Sequence, residues 1–126
     1  KQNFLKEVAK WVAQYVEVSV IVARNPNSIF YTGLANLFAQ PEFRNYAQAL
    51  RVSALFDDCE DRIESLYDAV DEDIKILLGD NNPFGNVCST VAIRIGESGG
   101  LFVILGPMRM DYAKAAGILN HIKMII

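Results

Sequence analysis

Apolar positions recur at helical spacing over residues 3–17, where Leu5, Val8, Val12 and Tyr15 form a stripe that Phe4, Trp11 and Val16 widen. The pattern then changes to a β-branched run, Val18 to Ala23, with little polar content, which predicts a central strand. Asn25-Pro26-Asn27-Ser28 carries turn chemistry, and Ile29 to Tyr31 continues as a short second strand. Gly33 opens a short helix, Leu34 to Phe38, which has to end before Pro41. Helical spacing resumes from Pro41 to Val70 in two stripes: Phe43, Tyr46, Ala47, Leu50 and Ala54, then Cys59, Ile63, Leu66, Tyr67 and Val70. Asp57 to Asp61 separates them and predicts a bend. Three further strands follow: Ile74 to Leu78, the alternating Val87 to Ile95 with one more apolar face, and Leu101 to Leu105. Gly79 to Gly85 is the most turn-rich segment, and Gly96 to Gly100 predicts a hairpin loop. Gly106-Pro107 is expected to break the last strand's pairing, since proline lacks a ladder donor. Asp111 then caps a final helix with Tyr112, Ala115, Ala116, Leu119, Ile122 and Ile126 inward and Lys114, Asn120 and Lys123 outward.

Helices at both ends of the chain, with two strands and then three between them, predict an α+β domain: an antiparallel sheet with helices packed on it. At 126 residues without an internal repeat, one domain over 1–126 is expected, long enough to bury a substantial core. The 52% apolar and 21% charged content describes a globular chain. A net charge of -3 is a poor footprint for direct nucleic-acid binding, which favours a basic face. No apolar run approaches the ~18 residues needed to cross a bilayer. Lys1 to Glu7 is no secretion signal, and without an initiator methionine the chain is expected to begin inside a longer protein.

Candidate chemistry is sparse. Asp57, Asp58, Glu60, Asp61 and Glu64 lack the alternation and central glycine of a calcium loop, so a solvated helix face is expected. Cys59 and Cys88 lack metal-type spacing and, with His121 the sole histidine, give no zinc set. Two thiols in a chain with an ample core fit a reducing cytosol, with a lone disulfide left open. Cys88-Ser89 has no motif bringing a base and an orienting carboxylate beside it, so no catalytic residue is assigned and the chain is not expected to be an enzyme. No metal or cofactor is expected. Arg109, between Met108, Met110 and Tyr112, is expected to sit partly desolvated and to pair with a carboxylate or backbone carbonyls that lock its turn. The other reading of Arg109 is contact with a partner or an anionic ligand. The Gly79–Gly85 loop, tipped by an exposed Phe84, is the expected contact surface.

Three blocks resemble a known family. Gly106-Pro107-Met108-Arg109-Met110-Asp111-Tyr112 resembles the G-P-T-R-M-D-Y signature near the C-terminus of the HrcA family, with Met108 in place of threonine. Gly33, Asn36, Leu37, Gln40, Pro41, Glu42 and Phe43 resemble its G-x-x-N-L-x-x-Q-P-E-F block. Leu78 to Asn82, with Asn81 where glutamate is usual, and Cys88 to Val91 resemble I-G-x-E-N and C-S-x-V. The resemblance implies a GAF-like C-terminal domain that regulates and dimerises a heat-inducible transcription repressor, with a cytoplasmic location and no membrane partner. It further implies a full protein that binds an inverted-repeat operator of chaperone genes through an N-terminal winged helix missing from 1–126. The GroEL chaperonin would hold that protein active. Gly33, Asn36, Pro41, Glu42, Phe43, Gly106, Pro107, Arg109, Asp111 and Tyr112 would then be structural or regulatory positions. The family's GAF-like part also carries an insertion. With Gly33 so near the start, it is expected to be missing or shortened here, or to precede Lys1. The alternative is a small-molecule sensor of GAF type, whose pocket would draw on Arg109, Thr90 and Asn82.

Overall fold

The computed structural model describes residues 2–25, 27–96 and 99–126. Lys1, Pro26 of the expected turn, and Glu97-Ser98 of the expected hairpin loop lie outside the described residues. Helix α1 (Gln2–Val16) leads into β1 (Ser19–Asn25) and β2 (Ser28–Thr32). Then come α2 (Leu34–Phe38), a 3₁₀ turn (Pro41–Phe43), α3 (Tyr46–Asp57) and α4 (Cys59–Ala69). The chain closes with β3 (Lys75–Leu77), a second 3₁₀ turn (Gly79–Asn81), β4 (Cys88–Ile95), β5 (Gly100–Pro107) and α5 (Tyr112–Ile125). The expected bend falls at Asp58, whose backbone (φ -118, ψ 40) leaves the helical region between α3 and α4.

The five strands form one sheet in the order β2-β1-β5-β4-β3, every neighbouring pair antiparallel. This is an α+β fold consistent with a GAF-like domain. Strand β5 sits at the centre, pairing with β1 from Ser19↔Leu105 to Ala23↔Leu101 and with β4 from Cys88↔Pro107 to Ile95↔Gly100. Its eight residues are all buried.

Helices cover both faces of the sheet. On one face α1 and α5 enclose Val20, Val91, Ile93, Phe102 and Ile104 with Ala9, Val12, Leu119 and Ile122. On the other, α2, α3, α4 and the Phe84 loop enclose Ile21, Leu101, Val103 and Leu105 with Leu37, Val52, Ile63 and Leu66. Strand β4 is therefore buried on both faces, not more on one. Ser89 and Thr90 satisfy their hydroxyls internally, and only Arg94 stays half-buried. Its guanidinium donates to the carbonyls of Val70 (2.8 Å), Gly99 (3.3 Å) and Tyr67, with the Tyr67 ring 5.0 Å away. That arginine ties the end of α4 to the sheet.

Two expected stripes are drawn differently. In α3 the buried positions are Val52 and Leu55, while Tyr46, Ala47, Leu50 and Ala54 are exposed. Asn45 caps its N-terminus, accepting from Ala47 N (2.8 Å) and Gln48 N (3.3 Å), so the helix starts out in solvent. In α1 the core face is Ala9, Val12 and Ala13, leaving Phe4, Trp11 and Tyr15 exposed.

Candidate functional site

All three sequence blocks arrive at one end of the sheet. That end holds the start of β1, the end of β2, the end of β3, the start of β4 and the end of β5. The antiparallel ladder forces this meeting: Thr32 pairs beside Val20, Leu77 beside Thr90, and Cys88 beside Pro107.

Its centre is the junction Glu17-Val18-Ser19, which the sequence reading did not single out. Glu17 leaves α1 with φ 61, a left-handed conformation uncommon outside glycine. Its carbonyl accepts from Gln40 Nε2 at 2.9 Å, and Asn36 Nδ2 donates to Ala13 O at 3.3 Å. The second block therefore grips the last turn of α1. Gly33, with φ +83, lies so close that a Cβ there would stand 2.7 Å from Val18 O and 2.9 Å from Ala13 Cβ. From the other side, a Cβ on Gly106 would stand 2.6 Å from Met110 Sδ and 3.2 Å from Val18 Cγ1. Ser19 Oγ donates to Leu105 O at 2.7 Å, so the polar residue at the head of the β-branched run binds the two central strands together. That serine was the available signal: a hydroxyl at a position whose neighbours are all core.

Within the C-terminal block, β5 does not stop at Leu105. Gly106 and Pro107 remain in the ladder, paired with Ser89 and Cys88, and Ser89 Oγ donates to Pro107 O at 2.7 Å. Proline is tolerated there because it sits at the strand's last position and contributes only its carbonyl. Asp111 caps α5 as expected, accepting from Lys114 N at 3.0 Å. Tyr112 Oη donates to Met108 O, closing the turn across its base. Arg109 departs from the expectation: it is exposed, and no ion pair among the described residues holds it. The turn is locked by Tyr112 and Asp111, leaving Met108 (41% exposed) and Arg109 facing outward. In the second block Phe43 is buried, while Pro41 and Glu42 are exposed at the start of the 3₁₀ turn.

The third block forms an internal knot. Buried Asn82 donates to Cys88 O (2.9 Å), and its Oδ1 accepts from Phe84 N (3.1 Å) and Thr90 Oγ1 (2.7 Å). This corrects two expectations. Asn82 and Thr90 are spent on each other and on the backbone, and exposed Arg109 does not join them, so the sensor reading loses its convergent polar set. The same Asn82 contact turns Phe84 inward, and its ring is fully buried against the α3–α4 layer instead of tipping an exposed loop.

Neither thiol is activated. Cys59 and Cys88 are free and buried in the same apolar cluster. Burial pushes the Cys88 thiol up to about 12. Burial, reinforced by Asp58 and Glu60, pushes Cys59 up to about 11. His121 is exposed on α5. The acidic run is a solvated face at the α3–α4 bend. There Arg62 donates to Asp58 Oδ1 at 2.9 Å, holding that carboxyl below its usual range, and to Pro83 O at 2.6 Å. Among the described residues no cluster of His, Cys, Asp or Glu could hold a metal ion, and no helix is long and apolar enough to cross a membrane.

A family model described as "HrcA protein C terminal domain" matches residues 1–116. A heat-inducible transcription repressor HrcA of Desulforudis audaxviator is 30% identical over 125 residues, covering 93% of this chain and 36% of that protein. The corresponding repressor of Carboxydothermus hydrogenoformans is 25% identical over 136 residues, covering 97% and 40%. That of Lysinibacillus sphaericus is 32% identical over 101 residues, covering 76% and 29%. The chain thus spans two fifths or less of the length of these relatives. No solved structure matches significantly.

Proposed function

This chain belongs to the HrcA family of heat-inducible transcription repressors, matching its C-terminal domain, and from that premise we propose that it is the regulatory and dimerisation domain of such a repressor. The observation that carries the reading is the family match over residues 1–116 in a chain spanning 36% of its relative from Desulforudis audaxviator. Operator reading then falls to a winged-helix domain N-terminal to it. A net charge of -3 agrees with that division, because phosphate contact calls for a basic face. An inverted-repeat operator has two-fold symmetry, so the repressor that reads it is a homodimer, and this domain supplies dimer contacts. Its place of work is the cytoplasm, and GroEL sets the fraction of repressor in the active form.

The exposed Met108-Arg109 rim, held by Asp111 and Tyr112, is the regulatory surface of the reading. Gly106, at the head of that turn, packs directly on Val18, so the rim lies one packing contact from the α1–β1 junction. The test is operator binding by fluorescence anisotropy, on the chain extended N-terminally and on residues 1–126, each with and without GroEL. Binding by the extended chain alone, with an active fraction raised by GroEL, is the expected result. An extended chain that ignores the inverted repeat in both conditions overturns the repressor reading.

A further inference from the structure

Helix α1 carries more apolar surface than the sheet can cover. Its inner seam, Leu5, Ala9, Val12 and Val16, packs toward β-sheet residues such as Val20 and Phe102. A second seam, Phe4, Val8, Trp11 and Tyr15, runs beside it; Val8 is half-buried against the same core, and the three aromatics point outward, with Phe4 51%, Trp11 54% and Tyr15 44% exposed. Trp11 and Tyr15 stack at 5.1 Å with rings 8° from parallel, and Lys114 Nζ of α5 lies 4.4 Å from the Tyr15 centroid. Further along, the seam and α5 form the walls of an apolar groove of about 320 Å³, between Phe4, Val8 and Trp11 on one side and Ile118, Ile122 and Ile125 on the other.

We propose that this outer face of α1 and α5 docks a second copy of the same chain, two helices against two around a two-fold axis. The proposal deepens the dimeric role given above. Three features single out that occupant. First, positions 4, 8, 11 and 15 follow the four-three-four spacing of a helix-on-helix seam, so a helix at a shallow crossing angle is what fits. Second, that spacing is the same in both directions. An antiparallel copy of α1 therefore meets it in register, Phe4 against the second copy's Tyr15 and Val8 against its Trp11, as an isologous contact demands. Third, the area suits a stable dimer. The exposed halves of three aromatics amount to about 300 Å² per copy, and exposed Ile125 with the half-buried groove wall at Ile118 extends the patch toward the ~800 Å² per partner of a standard interface. Glu7 and Lys10, already paired at 3.7 Å, give the face both signs of charge, so a second copy is not repelled.

The test exploits Trp11 as the only tryptophan in the chain. Sedimentation equilibrium from about 1 to about 100 µM, the range where an interface of this size is expected to dissociate, gives the mass. Tryptophan emission and acrylamide quenching are read on the same samples. The expected result is a monomer–dimer equilibrium in which Trp11 emission shifts to the blue and its quenching falls severalfold with the same midpoint. Trp11→Glu raises the dissociation constant at least about thirtyfold, whereas Tyr46→Glu, on the opposite helical layer, leaves it unchanged. Circular dichroism melts verify that each variant is folded. A chain monomeric throughout overturns the second copy as occupant and leaves the face to a different protein. A dimer that dissociates with no change at Trp11, or that Tyr46→Glu weakens equally, overturns the surface. None of these outcomes alters whether the extended chain binds its operator, so the repressor reading stands or falls separately.

Discussion

Gly33→Ala separates backbone strain from packing at the centre of the site. With φ +83, an alanine at Gly33 has to hold a left-handed conformation at about 1–2 kcal/mol. Its Cβ would also stand 2.7 Å from Val18 O, 2.9 Å from Ala13 Cβ and 3.2 Å from Ser19 Cα. Two of those atoms are backbone, held by the α1 turn and the β1–β5 ladder, so the junction has to shift. Overpacking of this kind costs about 1–3 kcal/mol. The expected total is ~2–5 kcal/mol. Gly79→Ala is the internal control: it has φ +59 and nothing within 4 Å, so only the strain applies. For a chain of this length 1 kcal/mol moves Tm by about 4 °C, giving a fall of roughly 8–20 °C for Gly33→Ala against roughly 4–8 °C for Gly79→Ala. Thermal unfolding followed by circular dichroism reads both, with urea midpoints as a second measure. Equal losses at the two positions would refute the close approach of α2 to the α1–β1 junction.

Asn82→Ala strips partners from the Phe84 amide, the Thr90 hydroxyl and the Cys88 carbonyl at once, and is expected to lower stability by about 2–4 kcal/mol in a urea titration. Asp111→Ala removes the α5 cap and is expected to cost about 1 kcal/mol in a urea titration. Both thiols should resist a disulfide reagent at pH 8 in the folded chain and react on unfolding, since burial holds Cys88 near 12 and Cys59 near 11. Their ordinary value of 9.0 is raised by folding, so the stabilisation is fully present below about pH 9 and is lost as pH rises through 11 to 12. Urea midpoints that hold level from pH 8 to 12 would contradict this.

The elements were legible where one period dominated. The β-branched run before Ala23, the cap at Asp111 and the break near Asp58 all fell where the side chains dictate. What stayed illegible depended on contacts distant in sequence. Phe84 looked like a loop tip because the turn residues around it are polar, and only Asn82's bond to the Phe84 amide turns the ring inward. Gly106-Pro107 reads locally as a strand breaker, yet Ser89 across the ladder takes up the proline carbonyl. The stripe in α3 was misplaced because Tyr46 and Leu50 have the right spacing but no sheet beneath them. For the site, the sequence blocks named the residues without naming their target. Glu17 and Ser19 belong to no block, and it is around them that the blocks close.

The register of β1 against β5 also sets the order of events during synthesis. Ser19 waits for Leu105, and Ala23 for Leu101, so the central pairing joins residues more than three fifths of the chain apart. Loop closure over that distance is slow, and no partial product can substitute for it. Until β5 leaves the ribosome, the Val18–Ala23 run has β2 on one side and nothing on the other. A nascent chain of this kind carries an unpaired, largely apolar strand edge until β5 emerges, the form in which young polypeptides are captured by chaperones or lost to aggregation.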